Sequence, residues 1–192
     1  NIVNQNIRIE VGDFTKQSIS YKIFPIISSY PTVKMYSEGI DVITINKNRE
    51  SPEIKIINDE FKLFVKNKLA KNNAYEAILI DDSGKILEGS RSNLFFIKDN
   101  KIITSKSGSV LEGITLLNVL EVINQEKVEV VRRDIYKEEL KLFDGAFLTG
   151  TSIDILPISK IEDIKFDTAT NLIIVDLMEK FNMFKQKNME LI

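Results

Sequence analysis

The chain of 192 residues contains no cysteine and no histidine. Those two absences remove thiol nucleophiles, disulfides, Cys/His metal sites and every Ser-His-Asp or Cys-His arrangement. Acid–base chemistry is left to Lys, Asp, Glu, Tyr or a bound cofactor. Charge of one sign is lacking too: 26 Lys plus Arg stand against 28 Asp plus Glu, a net charge of −2, with the lysines scattered. That balance gives no electrostatic reason to expect a nucleic-acid partner. The longest apolar runs are a few residues, far short of a bilayer span, and no basic segment followed by an apolar stretch opens the chain. A cysteine-free chain without such signals is expected in the cytoplasm, with no membrane partner. It opens on Asn1 rather than Met, with strand-like alternation at once, which suits the remainder of a longer protein.

The Rossmann and Walker glycine patterns and the calcium-binding EF-hand loop are missing as well. Asp82-Ser83-Gly84-Lys85 carries only the last fragment of a Walker loop, and it sits in a hairpin turn. What the chain does have is 43% hydrophobic residues, enough for one full core. Residues 7–11 and 19–27 are rich in β-branched side chains and read as strands, and SSYP at 28–31 reads as a linker. A strand is expected at 40–45 and a short extended piece at 53–57. A helix begins after Asn58, whose side chain suits an N-cap, with Asp59 and Glu60 at its positive end and Phe61, Phe64, Val65 and Leu69 at helical spacing.

A meander of short strands follows at 77–81, 85–88, 93–98 and 102–104, with Asp99-Asn100 as a two-residue hairpin turn. Gly113-Ile114-Thr115 opens a helix to about 124. A strand at 128–132, a short KEELKLF helix, strands at 146–149 and 153–158, and a final amphipathic helix over 168–184 complete the chain. Strands and helices mix without strict βαβα alternation. The expected fold is therefore α+β, either a mixed layer or a mixed, barrel-like β-sheet with flanking helices, rather than a doubly wound parallel sheet.

The eight glycines are informative by placement. Gly89 follows Glu88 at a strand end, Gly113 opens a helix, and Gly150 precedes Thr151-Ser152 at another strand end. Three glycine-marked turns can converge on one ligand. At Gly113-Ile114-Thr115 the helix start leaves backbone N–H groups pointing at an anion, and the helix dipole favours its negative charge.

Four segments in order, IKIIN at 54–58, the stretch YEAILIDDSGKILEGSRSNLFFIKDNKIIT at 75–104, LEGIT at 111–115 and FLTGTSIDILPI at 147–158, resemble the class IV, fold-type IV pyridoxal-phosphate enzymes. That family includes branched-chain and D-amino-acid aminotransferases and aminodeoxychorismate lyase. The resemblance runs from about residue 38 to the C-terminus. It implies that 31–192 is the cofactor-binding C-terminal domain and that 1–30 is a remnant of a smaller N-terminal α+β domain.

The resemblance also implies the site. Lys55 stands where the family keeps the lysine that binds pyridoxal 5'-phosphate covalently, with Asn58 three residues on. A lysine in a largely apolar pocket can have a lowered pKa, attack an aldehyde and later shuttle a proton. Its local pattern alone does not single it out. Glu88 matches the glutamate that bonds the pyridine nitrogen and keeps the ring an electron sink. Ser92 and Asn93 are expected to shape the floor beside the ring. Gly113, Ile114 and Thr115 are expected to cup the phosphate together with Thr151, and Thr151 and Ser152 to receive the substrate carboxylate.

The implied function is transfer of an amino group between an amino acid and a 2-oxo acid, of branched-chain or D-amino-acid type, in a homodimer. Two alternatives stand beside it: aminodeoxychorismate lyase, giving 4-aminobenzoate and pyruvate, and a non-catalytic descendant that keeps only the fold. Leu116 departs from the arginine that many members carry after GIT, and Arg8 takes no role by resemblance.

Overall fold

The protein is seen in a computed structural model that describes residues 6–12, 19–26, 30–47 and 58–189. Its contacts divide the chain into Asn1–Tyr30 and Pro31–Ile192. In the first unit, β1 (Asn6–Gly12) and β2 (Ser20–Ile26) form an antiparallel hairpin. Ile9 lies opposite Ile23 and Val11 opposite Tyr21, so one face is apolar, whereas Glu10 opposite Lys22 belongs to the other. This two-residue period is the alternation visible in the sequence.

In the second unit α1 (Val33–Glu38) is capped by Thr32, whose hydroxyl accepts from the Met35 N–H at 3.3 Å. The strands are β3 (Ile40–Asn46), β4 (Glu76–Ile80), β5 (Lys85–Gly89), β6 (Asn93–Lys98), β7 (Lys101–Thr104), β8 (Val130–Arg132), β9 (Ile135–Tyr136), β10 (Gly145–Gly150), β11 (Asp154–Ile161) and β12 (Ile164–Lys165). Helices α2 (Asp59–Asn72), α3 (Ile114–Gln125) and α4 (Leu172–Met189) flank them. Among the described residues the strands make one mixed sheet in the order β8-β7-β6-β10-β11-β3-β4-β5-β9, with β12 on β11. Only β7–β8, β11–β3 and β3–β4 are parallel.

The end strands β8 and β9 are consecutive in the chain, separated by Arg133 and Asp134. The Arg133 N–H donates to the Thr104 carbonyl at 3.0 Å, and the Ser105 hydroxyl to the Leu87 carbonyl at 2.9 Å, bringing the two margins of the sheet together. The sheet thus curls into the barrel-like form expected from the sequence. Ile78, Ile86, Leu94, Phe96, Leu148 and Leu156 share its inner cluster. On the outside, Phe95 and Phe147 stack at 4.9 Å beneath Leu116, Val119 and Ile123 of α3 and Leu177 and Phe181 of α4. Such a stacked pair contributes about 0.5–1.5 kcal/mol beyond its burial. A third cluster holds Val65 of α2 against Ala77, Leu79 and Leu87.

Asn58 caps α2, its side chain accepting from the Phe61 N–H at 2.8 Å. Asp99 and Asn100 form the hairpin turn with φ of 50° and 60°, the left-handed pair such a turn requires. The final helix starts later than its periodicity predicts. Residues 168–170 form a separate 3-10 turn, because the buried Thr168 hydroxyl is drawn to the Ala146 N–H at 3.0 Å and Asn171 turns extended. The KEELKLF helix is likewise a 3-10 turn, Lys137–Leu142.

Candidate active site

Strand β5 is where one carboxylate is aimed. Ile80 pairs with Ile86 and Ile78 with Gly89, so three steps on β5 oppose two on β4. That bulge breaks the alternation and re-aims the side chains of Leu87 and Glu88. Glu88 is buried, and its Oε2 lies 3.4 Å from Asn93 Nδ2. The same amide nitrogen donates to the Leu111 carbonyl at 2.6 Å. A β-carbon on Gly113 would lie 2.9 Å from Asn93 Oδ1, so glycine lets the α3 entry come this close without displacing the Asn93 amide. Glu88, Asn93 and Gly113 are thus one contiguous group.

Gly113 is the extended N-cap of α3, and no side chain caps the helix. The N–H groups of Ile114, Thr115 and Leu116 precede the first helical bond, from Leu117 N–H to the Gly113 carbonyl at 3.1 Å. They are the donors a helix start presents to an anion. Thr115 is buried, Ile114 is exposed, and Leu116 is part of the outer core, so a long charged side chain at 116 would have to leave the helix–sheet interface.

Thr149 is a participant that the sequence does not single out. It pairs with Asn93 across β10 and β6, one alternation beyond the stacked Phe147 and Phe95, and therefore stands on the face that α3 covers. Its hydroxyl is buried and has no hydrogen-bond partner among the described residues. A buried unsatisfied hydroxyl costs free energy, so its presence beside an uncapped helix start has a ready explanation in a ligand. Only the register of β6 against β10 shows this. An uncapped helix start, a glycine cradle and an orphan hydroxyl fit a phosphate group, with Glu88 adjoining to meet a cationic ring nitrogen.

Ser92, expected beside the ring, donates its hydroxyl to Glu76 Oε2 at 3.1 Å. Thr151 is exposed and Ser152 half-buried in the turn after β10. A β-carbon on Gly150 would lie 3.7 Å from the Arg91 carbonyl, so this turn lies beside the 90–92 turn. The turn is braced from two sides. The Tyr36 hydroxyl of α1 donates to the Ile153 carbonyl at 3.1 Å, and Lys185 of α4 meets Asp154 Oδ2 at 2.5 Å. Burial, then the Asp154 carboxylate, then Tyr75, push the Tyr36 hydroxyl up to about 12. Lys55 lies outside the described residues, as do the other residues of the extended piece expected at 53–57.

No group of three or more His, Cys, Asp and Glu suited to a metal occurs among the described residues. No helix there is long and apolar enough to cross a membrane. A separate apolar crevice of about 210 Å³ at the other end of α3 is lined by Ile102, Ile123, Val128 and Leu172. Its two carboxylates, Glu126 and Asp176, are both engaged by Lys180, and it lies away from the Glu88 group.

The amino-transferase class IV family matches residues 2–161. The chain belongs to that family. A probable branched-chain-amino-acid aminotransferase of Aquifex aeolicus (strain VF5) is 40% identical over 109 residues, 53% of this chain and 35% of that protein. The D-alanine aminotransferase of Bacillus licheniformis is 31% identical over 131 residues, 67% of this chain and 46% of that protein. Among solved structures, a T.th. branched-chain amino acid aminotransferase complexed with N-(5'-phosphopyridoxyl)-L-glutamate is 26% identical. It superposes with a TM-score of 0.68, covering 77% of this chain and 52% of that one. This class IV chain therefore spans about half or less of the length of these relatives.

Proposed function

We propose that this class IV chain binds pyridoxal 5'-phosphate and supports transfer of an amino group between an amino acid and a 2-oxo acid. The observation that carries the reading is the continuity of Glu88, Asn93 and the open start of α3. A ring-nitrogen carboxylate and a phosphate cradle must lie a short, fixed distance apart for one pyridoxal phosphate to use both. The bound cofactor supplies the electron sink for chemistry at the amino acid's α-carbon.

The chain's own residues supply binding and orientation. The helix start that Gly113 opens holds the phosphate through the N–H groups of Ile114 and Thr115, the Gly113 N–H being taken by the Leu111 carbonyl at 3.0 Å, and the Thr149 hydroxyl adds a donor from the sheet. Glu88 keeps the ring nitrogen protonated, and Asn93 holds that carboxylate in register with the cradle. Thr151 and Ser152 receive the substrate carboxylate. Lys55, by its family position, is the amine that holds the cofactor and moves the proton. The two relatives are named for branched-chain amino acids and for D-alanine, so amino acids are the substrate class. By family analogy, the working assembly is a cytoplasmic homodimer in which residues 1–30 belong to a smaller N-terminal domain.

The test is direct. Purified protein given pyridoxal phosphate should turn yellow, and borohydride reduction followed by peptide mapping should place the adduct on Lys55. Amino donors should then yield 2-oxo acids. A colourless protein that takes up no cofactor overturns the reading, and release of 4-aminobenzoate and pyruvate from aminodeoxychorismate would replace transfer by lysis.

A further inference from the structure

Outside the group just described, one buried carboxylate is met by donors from its own strand and from a single turn. Glu76, at the start of β4, is 0% exposed. Its Oε1 accepts from the Ser90 hydroxyl at 2.6 Å and from the Ala77 N–H at 2.8 Å. Its Oε2 accepts from the Ser92 hydroxyl at 3.1 Å and lies 3.5 Å from Arg91 Nε. Arg91 in turn donates to the Tyr75 carbonyl at 3.3 Å and lies over the Tyr75 ring at 5.3 Å. Burying a carboxylate is costly unless it is paired and hydrogen-bonded, and here three donors and a guanidinium, all on β4 or the 90–92 turn, meet it.

The turn that Glu76 grips runs from Gly89 to Asn93 and joins Glu88 to Asn93. Gly89 makes the grip possible: a β-carbon there would fall 2.0 Å from Ser92 Oγ, so any other residue would push Ser92 off the carboxylate. Glu76 has the strand parity of Ile78 and Ile80, which are in the inner cluster, whereas Asn93 shares the parity of Phe95 on the outer one. The carboxylate thus holds the turn from inside the barrel while Asn93 is presented outside.

We propose that Glu76 is a positioning residue, a buried anchor that fixes the 89–93 turn and thereby sets Glu88 against the cofactor ring. This inference rests on the functional reading above. Glu76 acts through Ser90, Ser92 and Arg91, the side chains of the turn that meet its two oxygens. A neutral amide in its place keeps the volume but offers its NH2 group, a donor, where Ser92, Arg91, Ser90 or the Ala77 N–H donates.

The test compares wild type with Glu76→Gln, Glu76→Asp, Glu88→Gln and the Glu76→Gln/Glu88→Gln pair. Amide hydrogen exchange is the first readout and needs no cofactor. Residues 89–92 of Glu76→Gln should lose protection on the order of tenfold while residues 94–98 of β6 and strand β10 keep theirs. The second is pyridoxal-phosphate affinity by absorbance. Glu76→Gln should weaken it on the order of tenfold, the scale of coupling within one hydrogen-bonded network, and should add nothing in the Glu88→Gln background. Additive losses in the double variant, or unchanged exchange at 89–92, overturn the proposal. If Glu76→Gln fails to fold, Glu76→Asp and a Ser90→Ala/Ser92→Ala variant carry the same comparison. Wild type that takes up no cofactor sinks the functional reading, and exchange alone then decides whether Glu76 anchors the turn.

Discussion

Asn93 Nδ2 lies 2.6 Å from the Leu111 carbonyl and 3.4 Å from Glu88 Oε2, joining the end of β5 to the entry of α3. One amide thus sets the separation between a carboxylate and an uncapped helix start. Asn93→Ala should lower pyridoxal-phosphate affinity by on the order of tenfold. It should also cost about 1 kcal/mol in denaturant unfolding, the usual worth of one lost hydrogen bond. Absorbance titration and urea melts check the two parts. Unaltered affinity would mean that the carboxylate and the helix start bind nothing in common.

Glu88→Gln keeps the size of the side chain and removes its charge. If Glu88 holds the ring nitrogen in its protonated form, the variant should still take up cofactor while amino transfer slows by on the order of a hundredfold, the scale of losing one aimed electrostatic group. Single-turnover rates with bound cofactor measure this. A variant as fast as wild type removes the role assigned to the carboxylate.

Much of this arrangement is legible in the chain because its signals are local. The Asn58 cap, the Asp99-Asn100 turn, the alternation of β3 and the apolar period of α3 each depend on a few neighbouring residues. Gly113 stands out because glycine marks a place where backbone must approach closely, whereas Glu88 is named by its resemblance to the family glutamate. Glu76 and Thr149 do not stand out, since their importance comes from strand register: Glu76 faces residues 14 and 16 positions away, and Thr149 pairs with Asn93 across the sheet. Ser92 is named by resemblance alone, and its bond to Glu76, set by the close fold of Gly89 onto it, is not visible in the sequence. Helix α1 escapes a reading of the sequence because it is only six residues long and buries none of them. The late start of α4 reflects a tertiary bond at Thr168 that no periodicity reports.

Thr149 carries a prediction in which stability and binding move oppositely. Its hydroxyl is buried without a partner among the described residues, and valine has nearly the same shape. Thr149→Val should therefore stabilise the unliganded fold by on the order of 1 kcal/mol, because an unsatisfied buried group costs about that much or more. The same change should weaken pyridoxal phosphate and inorganic phosphate alike, each several-fold. Urea unfolding and competition binding test the pair. A valine variant that is less stable and binds equally well would show that the hydroxyl is satisfied by something other than an anion.

Tyr36 supplies the pH-dependent case. Its hydroxyl donates to the Ile153 carbonyl and is pushed up to about 12, chiefly by burial, then by Asp154 and Tyr75. An unfolded tyrosine loses its proton near pH 10, so the folded chain holds this proton more tightly. The contribution to stability is then complete below about pH 10 and fades as pH rises through about 12. Tyrosinate absorbance should show late-titrating components from Tyr36 and from Tyr75, which burial also raises, and Tyr36→Phe should remove the one near pH 12. Between about pH 10 and 12 the stability of wild type should fall more steeply than that of the variant. Because the bond braces the turn bearing Thr151 and Ser152, Tyr36→Phe should raise KM for the amino donor more than it lowers kcat. A component near pH 12 of undiminished amplitude in Tyr36→Phe would assign it to Tyr75 and leave the turn without this brace.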